Sequence, residues 1–419
     1  MKVLVVGSGG REHALAWKFS KEAEVIAAPG NPGIAEDVEV VDISTKKHKE
    51  LLELCKKRSI DLVVVGPEDP LIEGLADVLR DGGIAVYGPG ADGAGLEGSK
   101  AFSKQLMRNA NVPTAEFQIF TDAKLAKEYA KSRFDAGKAV AVKASGNALG
   151  KGVVVASTLD EAQAAIQQMI VGKQFGLAGE KIVIEDRLTG PEFSVLTLVG
   201  DQNFVSLPIV QDHKRAHDGN RGPNTGGMGA FSPVDWVTAS LVNEVEETII
   251  KPTLNAMRES GITYRGTIFS GIMMDQGKPH CLEFNVRMGD PETQVIVARL
   301  GAGFLKAFHS AAIGEFIEEP EVLNNAVVSV VIASEHYPIL SSKGSPITIS
   351  EHLPGVKYFH AGTAMIDGQL VTNGGRVINA TACASNLREA RKLAYRAAAG
   401  VRFEGARYRT DIGAESTNG

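Results

Sequence analysis

The sequence predicts a multidomain protein in which an α/β unit is followed by α+β units. The length of 419 residues exceeds one ordinary core, because a domain typically contains roughly 150 residues. Short aliphatic segments alternate with helical patterns in the first hundred residues, and strands dominate again after about residue 326. We therefore expect three domains, at 1–100, 101–325 and 326–419.

The first domain is predicted to be Rossmann-like, because alternating strands and helices favour a parallel sheet with right-handed crossovers. Its predicted strands are Val3 to Val6, Val25 to Ala28, Leu62 to Val65 and Ile84 to Tyr87. Three strands end in turns rich in glycine or proline, namely Gly7 to Gly10, Pro29 to Gly33 and Gly66 to Pro70. Open α/β sheets bind ligands at such strand ends, so these turns are candidate substrate contacts.

The turn at Gly7 to Gly10 opens a helix, which favours binding of an anion. It does not complete the dinucleotide pattern G-x-G-x-x-G, because Glu12 stands where the third glycine is needed. Glu68 could accept a hydrogen bond from an amine or a sugar, or it could be a solvated carboxylate in a turn.

The central region is predicted to begin with a helix from Ser99 to Asn109, which carries Lys100, Lys104 and Arg108 on one face. A capping box at Thr158 and Glu161 opens a later helix. Further predicted elements are strands at Ile182 to Glu185, Phe193 to Val199 and Phe204 to Leu207, a long polar loop from Gln211 to Gly229, a helix from Ala239 to Ser260, and a hairpin of Thr267 to Met274 with His280 to Val286. The last domain should contain strands Val327 to Ile332 and Arg376 to Ala382 and a helix from Leu387 to Ala399.

The segment from Lys143 to Val153 predicts a phosphate clamp. Glycines let backbone N–H groups approach phosphates closely, and Lys143 and Lys151 add positive charge at the two ends. It is not a Walker loop, since Lys151 is followed by glycine and leads to a strand. The alternative is a mobile hairpin with two solvated lysines. For Lys104, a basic solvent-facing helix surface is likewise the alternative to nucleotide binding.

Two glutamates bracket a turn that could hold a nucleoside. Glu185 ends an apolar strand and Glu192 follows the turn, so either carboxylate could accept hydrogen bonds from ribose hydroxyls. The backbone from Asp186 to Leu188 could pair with an adenine edge. Ordinary surface carboxylates are the alternative.

The strand that ends in Glu283, Asn285 and Arg287 predicts a site for a metal ion and an anion. Side chains alternate along a strand, so these three share a face while Leu282, Phe284 and Val286 point into a core. Carboxylate and amide oxygens suit Mg²⁺, and an arginine can grip a phosphate or carboxylate. An amphipathic strand with a solvated polar face is the alternative.

Composition limits the class of partner. A net charge of −6 gives no basic surface for nucleic acid. Three cysteines that are far apart support neither a disulfide framework nor a zinc site, and no apolar stretch is long enough to cross a membrane. A soluble monomer in the cytoplasm is expected. His13, His213 and His217 lack convergent partners and are assigned no catalytic role.

Six blocks occur in an order that resembles the glycinamide ribonucleotide synthetase family of the ATP-grasp superfamily. The blocks are Gly7 to Ala14, Pro29 to Gly33, Gln211 to Arg215, Gly222 to Gly229, Asn285 to Glu292 and Tyr408 to Gly413. The resemblance runs essentially from end to end. It implies a Rossmann-like N-terminal domain, a central ATP-grasp domain with a mobile lid subdomain at about 117–188, and a small C-terminal α+β domain.

The resemblance also implies the reaction. ATP would phosphorylate the carboxylate of glycine, and 5-phosphoribosylamine would attack the glycyl phosphate to give glycinamide ribonucleotide in purine synthesis. Transient contact with the enzyme that makes the unstable amine would fit this role. The implied ATP contacts are Lys104, Lys143, Gly150, Lys151, Glu185, Leu188 and Glu192; the implied ligands of Mg²⁺ or Mn²⁺ are Glu283 and Asn285; Arg287 and Asp290 would be catalytic; and Gly10, Asn31, Glu68, Asp212, Lys214 and Arg287 would bind substrates.

The chain departs from the family pattern in places. Ser145 and Asn147 stand where the clamp more often has an aspartate and a leucine, and His217 lies in a region where small or acidic residues are usual. The strand from Thr267 to Met274 lacks the second metal carboxylate of many ATP-grasp proteins. Three alternatives stay open: a carboxylate-amine ligase with another amine, a nicotinamide-dependent dehydrogenase, and a noncatalytic nucleotide sensor.

Overall fold

In a computed structural model of the chain, the described residues are 1–146, 152–350 and 352–414. The N-terminal strands are β1 (Lys2–Gly7), β2 (Glu24–Pro29), β3 (Glu39–Val40), β4 (Leu62–Val65) and β5 (Ala85–Tyr87). They form one parallel sheet in the order β3-β2-β1-β4-β5, which confirms the predicted Rossmann-like arrangement. The helices between them are α1 (Gly10–Phe19), α2 (Pro32–Asp37), α3 (His48–Arg58), α4 (Glu68–Ile72), α5 (Leu75–Asp81) and α6 (Ala91–Gly98).

Burial on both faces explains why these strands are continuous aliphatic runs. Val3, Leu4, Val5 and Val6 of β1 are all fully buried. Alternate residues of β1 enter two different hydrophobic clusters, one on each side of the sheet.

The central region contains two antiparallel sheets. One has the order β6-β9-β7-β8 and the other β11-β10-β16-β17. These strands are β6 (Phe117–Phe120), β7 (Val140–Ala144), β8 (Val153–Ala156), β9 (Ile182–Asp186), β10 (Glu192–Val199), β11 (Phe204–Ser206), β16 (Gly266–Asp275) and β17 (Lys278–Asn285). The helices are α7 (Lys100–Asn109), α8 (Ala123–Asp135), α9 (Leu159–Ile166), α10 (Ala239–Val245) and α11 (Lys251–Glu259), with single π-helical turns at Gln167–Val171 and Glu246–Ile250 and a 3₁₀ turn at Gly176–Gly179.

Local sequence signals place these elements correctly. The capping box forms as predicted, with Thr158 accepting from the backbone of Glu161 and Glu161 reaching back. The hairpin of β16 and β17 turns at Gln276 and Gly277, which both have positive φ, 51° and 79°.

The predicted face of β17 needs one correction. A register shift after Gly271 pairs Gly271 with Glu283 but Ile272 with Cys281, so one residue of β17 is extra. That residue, Leu282, is only half-buried, and Cys281 is fully buried in the position predicted for Leu282. Phe284 and Val286 point into the core as predicted.

The segment from Gln211 to Gly229 is not the long loop that we predicted. It contains β12 (Gln211–Asp212), the two-stranded hairpin of β13 (Arg215–His217) and β14 (Arg221–Asn224), and β15 (Gly229–Ser232). Glycine and polar residues concealed the strands, because strand residues are usually recognised by aliphatic or aromatic side chains.

The C-terminal strands β18 (Ala326–Ala333), β21 (Val356–His360) and β24 (Arg376–Ala384) form one sheet with β12 and β15, in the order β12-β15-β18-β24-β21. The sheet therefore crosses the predicted boundary at residue 326. The remaining elements are α12 (Glu292–Arg299), α13 (Phe304–Ile313), β19 (Ser342–Pro346), β20 (Thr348–Ile349), β22 (Thr363–Ile366), β23 (Gln369–Gly374), α14 (Leu387–Ala399) and β25 (Val401–Arg402). Within the described ranges, no helix is long and apolar enough to cross a membrane.

Buried histidines join the N-terminal domain to β21. The backbone N–H of His360 donates to Nδ1 of His13 at 2.8 Å, and Nε2 of His13 lies 3.0 Å from Oδ2 of Asp37. Asp37 also accepts from Lys357 at 2.8 Å. Burial lowers the pKa of both histidines. For His360, the charges of His13 and Lys357 lower the pKa in addition, and it reaches about 3. His13 therefore has a structural hydrogen-bonding role.

We expect this junction to make the protein less stable in mild acid. The unfolded chain binds a proton at each histidine near pH 6.5, whereas folded His360 does so only near pH 3. The contribution of His360 to the free energy of unfolding is complete above pH 6.5. As the pH falls below that value, this contribution is lost by up to about 1.4 kcal/mol per pH unit. Urea unfolding between pH 7.5 and 4.5 should show a shallower decline for His360→Asn. The exposed control His336→Asn should keep the original slope, and equal slopes for wild type and His360→Asn would contradict the assignment.

Candidate active site

A buried ion triad lies between α7 and the first antiparallel central sheet. Glu185 on β9 pairs with Lys104 on α7, with 2.7 Å between Oε2 and Nζ, and with Lys143 on β7. Their side chains are only 4%, 4% and 10% exposed. The alternative in which Lys104 and Lys143 are solvated is therefore wrong.

The triad follows from strand pairing. β7 and β9 are antiparallel neighbours, with Ala141 opposite Glu185, and this brings Lys143 near the carboxylate. Burial raises the pKa of Glu185, but the two ammonium groups lower it more, so the net direction is down. Glu185 is therefore a charged bridge between two lysines as well as a candidate ribose contact.

Ser145, one of the departures from the family pattern, follows β7 and holds the start of α7. Its Oγ accepts from the backbone N–H of Ala101 at 3.0 Å, and its carbonyl oxygen accepts from that of Lys100 at 2.7 Å. Serine therefore satisfies helix donors that would otherwise lack partners. Gly150 and Lys151, the other predicted clamp residues, and Asn147 lie outside the described residues.

Glu283 and Asn285 lie near the end of β17, beside this triad. Burial raises the pKa of Glu283, but the charges of Lys214, Lys143 and Lys100 lower it by more. The net pKa is therefore below the usual value, and the carboxylate is ionised. No side chain in the described part of the chain donates a hydrogen bond to it. Asn285 directs Oδ1 toward Arg287, whose Nη2 donates to it at 3.2 Å. Glu283 thus offers a carboxylate oxygen, and the amide oxygen of Asn285 keeps one lone pair beside its bond to Arg287.

Lys214 approaches from the segment between β12 and β13. Its Nζ donates to Oε2 of Glu192 at 3.0 Å. Burial lowers its pKa, but Glu192, Asp212 and Glu283 raise it well above the usual value. The pKa of Asp212 is raised, first by burial and then by Glu192. The structure thus brings Glu192, Asp212, Lys214 and Glu283 together, as expected for one site.

Arg287 is held by two carboxylates of the N-terminal domain. Its Nε donates to Oε2 of Glu68 at 3.2 Å, and its Nη2 donates to Oε1 of Glu97 at 2.9 Å. Burial raises the pKa of Glu68, but Arg287 and Arg11 lower it to about 2. Glu68 is therefore not a freely solvated turn carboxylate. Glu97 also accepts from the backbone of Val286 at 2.8 Å.

Asp290 belongs to a separate polar cluster. Its carboxylate accepts from Nε2 of Gln294 at 2.9 Å and from the backbone N–H of Arg11 at 3.3 Å. Nη1 of Arg376 lies 3.4 Å from its Oδ1 and donates to its carbonyl oxygen at 2.6 Å. Within the described residues, Asp290 and Arg287 thus have different hydrogen-bond partners, while burial raises, and the charge of Arg11 lowers, the pKa both of Asp290 and of Glu68, the partner of Arg287.

The predicted N-terminal contacts have clear structural roles. Asn31 caps α2 by accepting from the backbone N–H of Ile34 at 2.9 Å, and its amide donates to the carbonyl oxygens of Ser8 and His360. Gly10 begins α1 so close to Asn379 that an added Cβ would lie 2.5 Å from its Nδ2. The two turns are thereby locked to each other and to the C-terminal sheet.

The remaining predicted residues are placed as follows. Leu188 is half-buried just after β9, and the next backbone N–H, of Thr189, donates to Asp275 at 3.0 Å. His213 is buried, and burial together with Arg409 lowers its pKa to about 4, whereas His217 is exposed. No group of three or more His, Cys, Asp or Glu that could hold a metal occurs in residues 1–146, 152–350 and 352–414.

Comparison with known protein families matches the chain in three consecutive parts. Models of phosphoribosylglycinamide synthetase match residues 1–97 (N domain), 98–293 (ATP-grasp, or A, domain) and 327–415 (C domain). The chain belongs to the phosphoribosylglycinamide synthetase family. Its three-domain architecture and ATP-grasp fold, expected from the resemblance, are thereby confirmed.

Two members of this synthetase family are similar to the chain along their whole length. Phosphoribosylamine-glycine ligase of Rhizobium meliloti is 46% identical over 418 residues, which covers 99% of this chain and 98% of the relative. The crystal structure of phosphoribosylamine-glycine ligase from Thermotoga maritima has a TM-score of 0.87 and 36% identity, covering 98% of this chain and all of that one. A biotin carboxylase from Campylobacter jejuni, at 15% identity and a TM-score of 0.73, shares the fold.

Three charged residues of the candidate site were not predicted from the sequence, namely Arg11, Glu97 and Arg376. Arg11 was recognised only as part of a block, although an arginine directly after a glycine-rich turn that opens a helix was a usable signal. Glu97 and Arg376 lie on α6 and β24, far from the motifs that they contact, and no local pattern marks them.

Proposed function

We propose that this protein is an ATP-dependent carbon-nitrogen ligase that joins glycine to 5-phosphoribosylamine in purine biosynthesis. The products are glycinamide ribonucleotide, ADP and phosphate. Membership of the family supports this reaction. One observation also supports it: three lysines from separate segments, Lys214, Lys143 and Lys100, all lie close enough to Glu283 to lower its pKa. Such convergence of lysines suits a triphosphate, and the adjacent oxygens suit its metal ion.

The reaction has two balanced steps. A carboxylate oxygen of glycine attacks the γ-phosphorus of ATP, and ADP leaves, which gives glycyl phosphate. The amine of phosphoribosylamine then attacks the acyl carbon, phosphate leaves and the nitrogen loses a proton. The enzyme must neutralise phosphate charge, align the reactants and exclude water from the anhydride.

We assign ATP binding to Lys104, Lys143, Gly150, Lys151, Glu185, Leu188 and Glu192. The two described lysines are desolvated and already ordered by Glu185, so little side-chain freedom remains to be lost when phosphates bind. Glu185 can exchange part of its contact with the lysines for a hydrogen bond that it accepts from a ribose hydroxyl. A basic solvent-facing surface would not hold ammonium groups in this way.

The residues present fit a divalent cation, which we take to be Mg²⁺ or Mn²⁺. Glu283 is ionised and Asn285 offers an amide oxygen, and both are hard ligands. When bound, the ion neutralises developing charge on the phosphates. The protein supplies few ligands here, so oxygens of ATP and water would complete the coordination.

Substrate binding is assigned to Gly10, Asn31, Glu68, Asp212, Lys214 and Arg287, and organisation of the acyl phosphate to Arg287 and Asp290. Glu68, Glu97 and Asn285 fix the guanidinium of Arg287 in one orientation and leave the two N–H groups of Nη1 for an anion. Asp290 holds the start of α1 through the backbone of Arg11 and can thereby align the glycine-rich turn with the reaction site.

The domain limits that we propose are 1–100, 101–325 and 326–419, and we infer that the unit at about 117–188 closes over ATP as a lid. Its own hydrophobic cluster supports this inference, because α8, α9 and the strands of one sheet share a core of their own. We expect hydrogen exchange in this unit to slow when a nonhydrolysable ATP analogue binds. Equal protection with and without nucleotide would count against the lid.

The protein is expected to act on small molecules as a cytoplasmic monomer and to receive phosphoribosylamine by diffusion or by transient contact with the enzyme that makes it. The three free cysteines, two of them buried, are in accord with a reducing compartment.

A coupled assay tests the proposed function. ADP release should require both glycine and phosphoribosylamine. Oxidation of NAD(P)H would favour a dehydrogenase instead, ATP binding without turnover would favour a sensor, and turnover with a different amine would indicate another ligase.

A further inference from the structure

The closing block of the chain, from Tyr408 to Gly413, holds a deeply buried arginine. The side chain of Arg409 is only 1% exposed. Its guanidinium forms a bidentate pair with Asp411, at 2.8 and 2.7 Å. It also donates to the carbonyl oxygen of Arg215 and to Oδ1 of Asn220, both at 3.0 Å. Arginine suits this position because its rigid fork can satisfy several acceptors at once.

Both acceptors outside the C-terminal segment belong to the hairpin of β13 and β14. That hairpin forms a sheet of only two strands, and such hairpins are marginally stable alone. Further bonds from the C-terminal segment hold its turn: the backbone of Gly219 donates to Asp411, and that of Thr410 donates to Asp218, each at 2.8 Å. The C-terminal segment, residues 407–411, therefore supports the hairpin.

The hairpin begins directly after Lys214, whose ammonium group contacts Glu192 in the site. The backbone of Lys214 is fixed on the other strand by Thr225, whose N–H and Oγ1 both donate to the Lys214 carbonyl oxygen at 2.8 Å. Arg409 fixes the next carbonyl oxygen, that of Arg215. The residue that follows Lys214 is thus held by a side chain 194 residues away in the sequence.

We propose that Arg409 is a positioning residue for the ligation reaction, acting through the hairpin on Lys214. This inference rests on the proposed function for the role of Lys214. A purely structural role would lower stability and leave the site unchanged in the folded fraction.

A double-mutant cycle with Arg409→Lys and Lys214→Met tests the inference, using the full-length protein. Arg409→Lys keeps the charge and loses the fork, and we expect kcat/KM to fall at least about tenfold, since a misplacement of about 1 Å can cost a hundredfold. In the Lys214→Met background the same change should have less than a twofold effect, because residues that act through each other are not additive. Independent, multiplying effects would overturn the proposal.

A control in the same segment separates positioning from stability. Arg391 on α14 donates to the carbonyl oxygens of Thr410 and Ile412 and, in the part of the chain that the structure describes, forms no hydrogen bond with the hairpin. Arg391→Lys should leave kcat/KM within twofold, and equal losses in the two variants would overturn the proposal. Hydrogen exchange at 215–224 should accelerate in Arg409→Lys alone, and this readout does not require turnover. If wild type shows no ligase activity, the proposed function fails. If hydrogen exchange at 215–224 is unchanged in Arg409→Lys, the proposal that Arg409 supports the hairpin is refuted.

Discussion

Replacing Glu283 with glutamine is expected to lower kcat/KM by at least about a hundredfold without unfolding the protein. The substitution keeps the shape of the side chain and removes the negative charge that faces Lys214, Lys143 and Lys100. It also replaces the best metal ligand of the site with a weaker one. Glu283→Ala should abolish turnover for the same reason.

The fold should survive because the side chain of Glu283 is only half-buried and fills no core position. Steady-state ADP release with Mg²⁺ measures the effect, and thermal unfolding checks the fold. The exposed glutamate at the end of α11 provides a matched control, Glu259→Gln, which should keep wild-type turnover. Near-normal turnover of Glu283→Gln or Glu283→Ala with Mg²⁺ would refute the assignment.

Replacing Glu185 with glutamine is expected to cause the largest loss of stability, about 3–5 kcal/mol in the free energy of unfolding. The change leaves the ammonium groups of Lys104 and Lys143 buried without their shared counter-charge, and breaking one partner of a buried pair typically costs this much. Urea unfolding at pH 7.5 measures the loss, with the exposed Glu128→Gln on α8 as control.

The pH dependence gives a second check on the triad. Because the two lysines outweigh burial and lower the pKa of folded Glu185, its contribution is complete above the unfolded value of about 4.3. The contribution is lost as the pH falls from there through the lower folded pKa. The stability difference between wild type and Glu185→Gln should therefore be constant from pH 7.5 to 5 and shrink below pH 4. A difference that persists in acid would contradict the ion triad.

Patterns that local physics dictates were predictable from the sequence. Alternation of aliphatic strands with helices gave the parallel N-terminal sheet, and the capping box at Thr158 and the turn at Gln276 formed where expected. Strand alternation correctly buried Phe284 and Val286 but failed at Leu282, because a bulge cannot be read from a period of two. The polar hairpin of β13 and β14 was missed because contacts from residues 407–411, rather than aliphatic burial, stabilise it.

The candidate site was predicted as a set of residue types rather than as a set of pairs. Lys104, Lys143 and Glu283 were proposed from motifs and the family resemblance, yet nothing in the sequence indicated that Glu185 would bridge two lysines. Partners such as Glu97 and Arg287 lie 190 residues apart. Pairing at that distance is set by the packing of whole domains, so only the three-dimensional structure reveals it.

A crystal structure with a nonhydrolysable ATP analogue and Mn²⁺ would show whether the lysines and the proposed metal ligands meet at one nucleotide. We expect one triphosphate in contact with Nζ of Lys104 and of Lys143, and an anomalous Mn²⁺ peak at ligand distance from Glu283 and Asn285. A nucleotide bound elsewhere, or an ion that touches neither Glu283 nor Asn285, would contradict this expectation.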